Sequence, residues 1–350
     1  MLDLITATSM GVRITPLTRQ PVGIDNMYIM QSTSAESNVL NVSASLGLNT
    51  RVLTAFVKGS PISDFIKRDL RRRNIGYDGP DLDAGGPWGF RHQFNIADSG
   101  FGVRAPRVWN DRAGEVGREL SAEYFDLDKL FKEEGVRMMH FSGLFAAMSE
   151  KTADLCLHLA DKAAQSGTKV SFDLNHRASF WEGREKELRE AFQKIAAVSD
   201  VLIGNEEDYQ LALGIEGPKA GGKGIADKMD AFKEMIERAR KEYPNVKTFA
   251  TTLREVKNAN EHLWGAILYN DNNWYVAEQR PIQVLDRIGG GDGFVGGLLY
   301  GLLREFPAEK ALQFAWSTGA MAVTMVEDYA TPISEEQVWN VWQGNARVVR

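Results

Sequence analysis

The sequence predicts an α/β fold: a doubly wound, mostly parallel sheet with helices on both faces and a small separate β layer. Three observations predict it. From about residue 124 onward, strand-like and helix-like segments alternate, the order that parallel neighbours joined by crossovers require. The stretch 85–112 alternates aromatic and β-branched residues, broken by Gly and Pro, with no helical spacing. A glycine-rich turn at 289–291 lies between an apolar strand-like segment, 282–285, and a helix.

The elements follow in order. Segments 2–8, 11–17, 27–33 and 51–57 read as strands, and 34–46 and 61–73 as helices. Ser34 or Thr33 ahead of Glu36 suggests a capping box, and Gly47 a stop. Then come a helical run 124–134, strand 136–142, helix 149–166 ended by Gly167, strand 169–174, helix 184–197, strand 200–204 and a short helix 206–213. Helix 226–242, strand 247–253 and a hairpin pairing 263–269 with 273–279 precede the turn at 289–291 and the last helices. Residues 1–350 read as one domain, with a lid built from parts of 11–33 and 85–112. The Gly/Lys-rich 216–224 reads as a surface loop.

Composition removes several classes of function. Of 350 residues, 41 are Lys or Arg and 47 are Asp or Glu, so a net charge of −6 offers no basic field for nucleic acid. Hydrophobic residues at 43% and charged ones at 25% describe a chain that folds throughout. Cys156 is the only cysteine, which excludes an intrachain disulfide or a polythiolate zinc site and suits a reducing compartment, the cytoplasm by expectation. No segment approaches the roughly 18 apolar residues of a membrane span. The five histidines have no metal-ligand spacing.

The stretch 286–297 carries the most chemistry. Backbone N–H groups of Gly289, Gly290 and Gly291 at a helix N-terminus form an anion site. Asp292 beside them could serve the helix dipole. A carboxylate there would also repel a bound phosphate, so a base acting on the phosphate's attacker is the better reading. Gly291, Gly293 and Gly296 spell a dinucleotide fingerprint, but no second strand ending in an acid follows. The P-loop-like 217–224 ends in Gly224 where Ser or Thr is needed.

With these residues in place, the sequence resembles the ribokinase-like (PfkB) carbohydrate kinases, whose signature is close to D-T-x-G-A-G-D-x-F. Here it reads Asp286-Arg287-Ile288-Gly289-Gly290-Gly291-Asp292-Gly293-Phe294, which is similar to the D-R-x-G-G-G-D-x-F form of 2-keto-3-deoxygluconate kinases. The segments Arg107-Val108-Trp109-Asn110-Asp111-Arg112-Ala113, His140-Phe141-Ser142-Gly143 and Ser171-Phe172-Asp173-Leu174-Asn175-His176-Arg177 resemble the same branch, and the likeness runs from about residue 30 to 330.

The resemblance implies ATP and Mg²⁺ as cofactors and leaves a place for a monovalent cation. Asp292 would be the general base, with Gly289, Gly290 and Gly291 holding the transferred phosphoryl group. Asn205 and Asp208 would stand near Mg²⁺, Asp208 acting through water, and Thr252, Leu253 and Arg254 near the nucleotide. The sugar would meet Ser34, Asn38, Phe90, Asp173, Asn175 and Arg177, and its carboxylate would meet Arg107, Asn110 or Arg112. Arg104 is a further candidate for that carboxylate, and Trp88, with Phe90, would wall the sugar or fill the lid's dimer contact. A homodimer through the lid is implied as well. Two departures affect the sugar floor: Thr33-Ser34 stand where the family has Gly-Gly, and Thr8-Ser9 where it has Gly-Glu. A neutral-sugar kinase and a binding-only paralogue are therefore the rival readings.

Overall fold

The computed structural model describes residues 1–217 and 225–347. Fifteen strands form among them: β1 (Leu2–Ala7), β2 (Gly11–Pro16), β3 (Tyr28–Thr33), β4 (Thr50–Leu53), β5 (Phe56–Val57), β6 (Ile75–Asp78), β7 (Asp81–Leu82), β8 (Phe94–Asp98), β9 (Arg107–Asp111), β10 (Val136–Ser142), β11 (Lys169–Asp173), β12 (Val201–Ile203), β13 (Thr248–Asn258), β14 (Glu261–Asn270) and β15 (Asn273–Gln283). Nine make the main sheet, in the order β15-β14-β13-β12-β11-β10-β1-β4-β6. From β6 to β13 every pairing is parallel, and the hairpin β14–β15 adds an antiparallel edge.

Successive residues of β1 show why the sheet is covered on both faces. Leu4 packs with Val39, Leu40, Phe294 and Leu298 beneath the helices Ala35–Ser45 and Gly290–Leu303, while Ile5 packs with Met139, Phe141, Leu155 and Phe192 beneath Glu150–Gln165 and Glu185–Ala197. Helix Gly290–Leu303 lies close to Ala35–Ser45 because position 296 is glycine; a Cβ there would stand 2.6 Å from the Val39 carbonyl oxygen. That closeness carries Asn38 to Asp292.

A second sheet runs β3-β2-β8-β9, with β2 parallel to β8. Parts of 11–33 and of 85–112 therefore meet in one layer.

Several local expectations are corrected. Ser34 caps its helix by accepting from Ser37 N at 3.0 Å, without the reciprocal Glu36 bond; Glu36 instead turns inward and accepts from Thr8 Oγ1 at 2.6 Å. Segment 51–57 is two strands. The run 124–134 is a short 3₁₀ turn, Ala122–Tyr124, then a π-helix, Lys129–Glu134, which buries the adjacent Leu130 and Phe131. The P-loop-like glycines and lysine of 218–224 lie outside the described residues.

Candidate active site

At the C-terminal ends of β11 and β12 and beside the middle of β13, a cavity of about 730 Å³ opens between the main sheet, the small sheet and the turn before helix Gly290–Leu303. Ser34, Asn38, Asn110, Arg112, Asp173, Asn175, Arg177, Asn205, Asp208, Thr252, Leu253, Arg254, Gly289, Gly291 and Asp292 all line it. These residues were singled out from segments up to 258 positions apart.

Five expected residues do not line the cavity. On β9, Val108 and Asn110 face inward, so the two-residue period turns Arg107 to the opposite face, where it is exposed. Phe90 packs against the apolar cluster under the main sheet, and Trp88 is 97% exposed. Gly290 lies beneath the turn; a Cβ there would stand 2.8 Å from Val323 Cγ1. Arg104 is engaged elsewhere, in an ion pair with Asp98 at 3.0 Å.

Asp292 sits in the first turn of its helix and receives Asn38 Nδ2 on Oδ2 at 3.0 Å. Burial pushes its carboxyl up to about 7; the Asn38 bond pulls down, while Asp328 and Glu36 push further up. Asp173 also lies well above the ordinary carboxylate range, first because of burial and then because Asp208 and Asp292 share its surroundings. Gly289 adopts φ 85°, and a Cβ on it would meet the Asp328 carbonyl oxygen at 1.8 Å, so only glycine closes the turn this way. Gly291 faces open cavity, with nothing within 4 Å of a built Cβ.

Asn205 and Asp208 form a capping box. Asn205 Oδ1 accepts from Glu207 N and Asp208 N, and Asp208 accepts from Asn205 N at 2.8 Å and His176 N at 2.9 Å. Both Asp208 oxygens are thus engaged by backbone donors. Among the described residues no cluster of acids, histidines or cysteines is arranged to hold a metal directly.

The cavity has two cationic regions. Near β13, Arg254 is surrounded by protein yet open to the cavity; burial and the neighbouring Arg287 hold its guanidinium down to about 10. The same two arginines, after burial itself, drive His262 down to about 4. Near β9, Arg112 reaches both oxygens of Glu115, at 2.9 and 3.0 Å, and its Nε has no partner. Phe180 stacks beneath it at 5.3 Å.

Some residues at the site were not singled out from sequence. Asp328 accepts from Gln31 and Thr33 and lines the cavity, but it follows the helix Ala308–Ala322 in a segment with no periodicity. Glu36 looked like a cap, and Arg287 like a signature letter only. The Thr8-Ser9 departure now has a physical account: Thr8 donates to Glu36, and Ser9 donates to Glu115 at 2.7 Å.

A cavity with a buried carboxyl beside a glycine-lined helix N-terminus is the kind of site that a phosphotransferase with an alcohol group as acceptor uses. The sequence profile of the pfkB family carbohydrate kinases matches residues 35–334, and the chain belongs to that family. A 2-dehydro-3-deoxygalactonokinase from Haloferax volcanii is 24% identical over 345 residues, 98% of this chain and 97% of that one. The crystal structure of 2-dehydro-3-deoxygluconokinase from Thermotoga maritima matches with a TM-score of 0.88 and 26% identity over 98% of each chain. An E. coli protein solved with ATP and Mg²⁺ matches with a TM-score of 0.76 at 19% identity, over 98% of this chain and all of that one, a likeness of fold. The expected doubly wound architecture and kinase class both stand.

Proposed function

We propose that the chain transfers the γ-phosphoryl group of ATP to the terminal hydroxyl of 2-keto-3-deoxygluconate, with Asp292 as general base. The observation that carries this reading is the buried Asp292 carboxyl, raised to about 7, beside the N–H groups of the turn 289–291. A base poised near neutrality takes a hydroxyl proton efficiently, because proton affinity and the ionised fraction are both substantial there.

The residues fit a nucleotide polyphosphate. Arg254 and Arg287 line one end of the cavity with no acidic partner among the described residues, so a polyanion supplies the missing charge. ATP supplies the phosphoryl group and ADP as its leaving group. Mg²⁺ fits as an ion held by phosphates and water, since backbone N–H groups occupy both Asp208 oxygens. Asp292 accepts the hydroxyl proton, and the glycine N–H groups stabilise charge on the transferred group. Asn38 orients the Asp292 carboxylate. Asn110 and Arg112 present a carboxamide and a guanidinium edge to the acid's carboxylate, with Asp173, Asn175 and Arg177 along the facing wall. The small sheet is the lid that excludes water, which would otherwise compete as acceptor.

The test is ADP release from Mg·ATP with 2-keto-3-deoxygluconate, 2-keto-3-deoxygalactonate, fructose, ribose and gluconate offered separately, for the wild type and Arg112→Ala. Turnover on a keto-deoxy acid is expected, with its KM raised about tenfold or more in the variant. Equal turnover on a neutral sugar would keep the transfer chemistry and remove the acid. Silence on every acceptor would leave a protein that only binds.

A further inference from the structure

The inward row of the small sheet is polar. Register places Gln31, Arg13, Asn95 and Asn110 side by side across β3, β2, β8 and β9. Asn95 and Asn110 lie at the cavity wall; Arg13 and Gln31 reach the segments that frame the glycine turn. Arg13 forms an ion pair with Asp286, and their side chains are 0% and 3% exposed. Gln31 Nε2 and Thr33 Oγ1 donate to the two oxygens of Asp328 at 2.9 and 2.6 Å.

Both acids bracket the turn. Asp286 Oδ1 accepts from Ile288 N at 3.0 Å, fixing the entry to residues 289–291, and the Asp328 carbonyl packs against Gly289. Asp286 therefore has a structural task, but its charge opposes an anion held by the turn just after it. A buried carboxylate with no counter-charge would weaken phosphate binding there. Arg13 removes that repulsion. Its Nε and Nη1 are buried with no partner, so the Asp286 carboxylate is the group that anchors the guanidinium and keeps its charge close to the turn.

We propose that Arg13 is a positioning residue: from the small sheet it supplies a fixed positive charge behind the turn 289–291, neutralising Asp286 so that the turn can hold a phosphoryl group. The inference rests on the reading of that turn given above. Because the charge is built into the chain, a bound monovalent cation is not needed at Asp286.

The experiment compares wild type, Arg13→Met, Asp286→Asn and the double variant. Steady-state kinetics are run in potassium chloride and in tetramethylammonium chloride at equal ionic strength, with the Kd of Mg·ATP from calorimetry and thermal midpoints for each protein. Wild-type rates and ATP affinity should agree within about twofold between the salts. Folded Arg13→Met should lose about tenfold or more in kcat/KM for ATP and in ATP affinity, with the KM of the sugar acid within about twofold. Potassium or guanidinium should restore part of that loss. The double variant, with no unpaired charge, should recover most of the ATP affinity and lose the response to potassium. It carries the test alone if Arg13→Met does not fold.

A wild type that loses tenfold without potassium would overturn the inference. So would a folded Arg13→Met with unaltered ATP parameters, or a double variant as impaired as the single. A wild type that phosphorylates no sugar would instead bring down the functional reading beneath it.

Discussion

Asp292 is held between opposing influences, and its pH behaviour follows from their balance. Burial favours the neutral acid, while the Asn38 hydrogen bond favours the carboxylate; the result lies near 7, well above the roughly 3.9 of an unfolded chain. Since the proposed base acts ionised, kcat should rise nearly tenfold per pH unit below about 7 and level off above it. Stability runs the other way. A raised acid binds its proton more tightly folded than unfolded, so its contribution is full below about pH 4 and lost as pH rises through 7. Asp292→Asn should therefore lower kcat by orders of magnitude, yet raise the midpoint of thermal unfolding by a few degrees at pH 8 and leave it nearly unaltered at pH 4. A midpoint shift equal at both pH values would show that the carboxylate is not strained by burial. Asp292 was legible in the sequence because its neighbours are glycines. Asp328 and Glu36, which push it upward, were not, because only tertiary packing brings residues 36, 292 and 328 together.

At the scale of the element, the turn and its helix separate two roles for glycine. Position 289 has φ 85° and no room for a Cβ, whereas 291 has ample room. Gly289→Ala should cost roughly 1–3 kcal/mol in chemical denaturation and at least about tenfold in kcat/KM for ATP, because the turn must open away from Asp328. Gly291→Ala should leave denaturation unaltered, and its new methyl group should act only on substrate kinetics. Equal destabilisation by both would refute this division. Helix ends were readable because they depend on local chemistry: Gly47 and Gly167, read as stops, have φ of 88° and 71° just past their helices. The π-helix at Lys129–Glu134, in which the adjacent Leu130 and Phe131 are both buried, was not readable, since its apolar spacing fits an α-helix.

For the whole molecule, alternation of strands and helices made the main sheet legible, because parallel pairing leaves few ways to connect it. The small sheet was legible as β structure in two distant stretches. Their parallel pairing, Val12 with Phe94 and Ile14 with Ile96, was not, since no turn links the two stretches. That pairing builds a layer whose inward row is polar and whose other row is Met30, Ile14, Ile96 and Trp109, running across all four strands. Met30 is 43% and Trp109 70% exposed, with Ile24 at 68% and Met27 at 56% nearby. Met30 and Trp109 leave apolar surface on that face, which would suit a second copy meeting it, the homodimer that the resemblance implies. Wild type should elute as a dimer in light-scattering chromatography, and Met30→Asp with Trp109→Asp as a folded monomer. Because Val108 and Asn110, on either side of Trp109, face the cavity, loss of the dimer should raise the KM of the sugar acid more than that of ATP. A monomeric wild type, or a monomeric variant with unaltered sugar KM, would separate the outer face of β9 from its inner one.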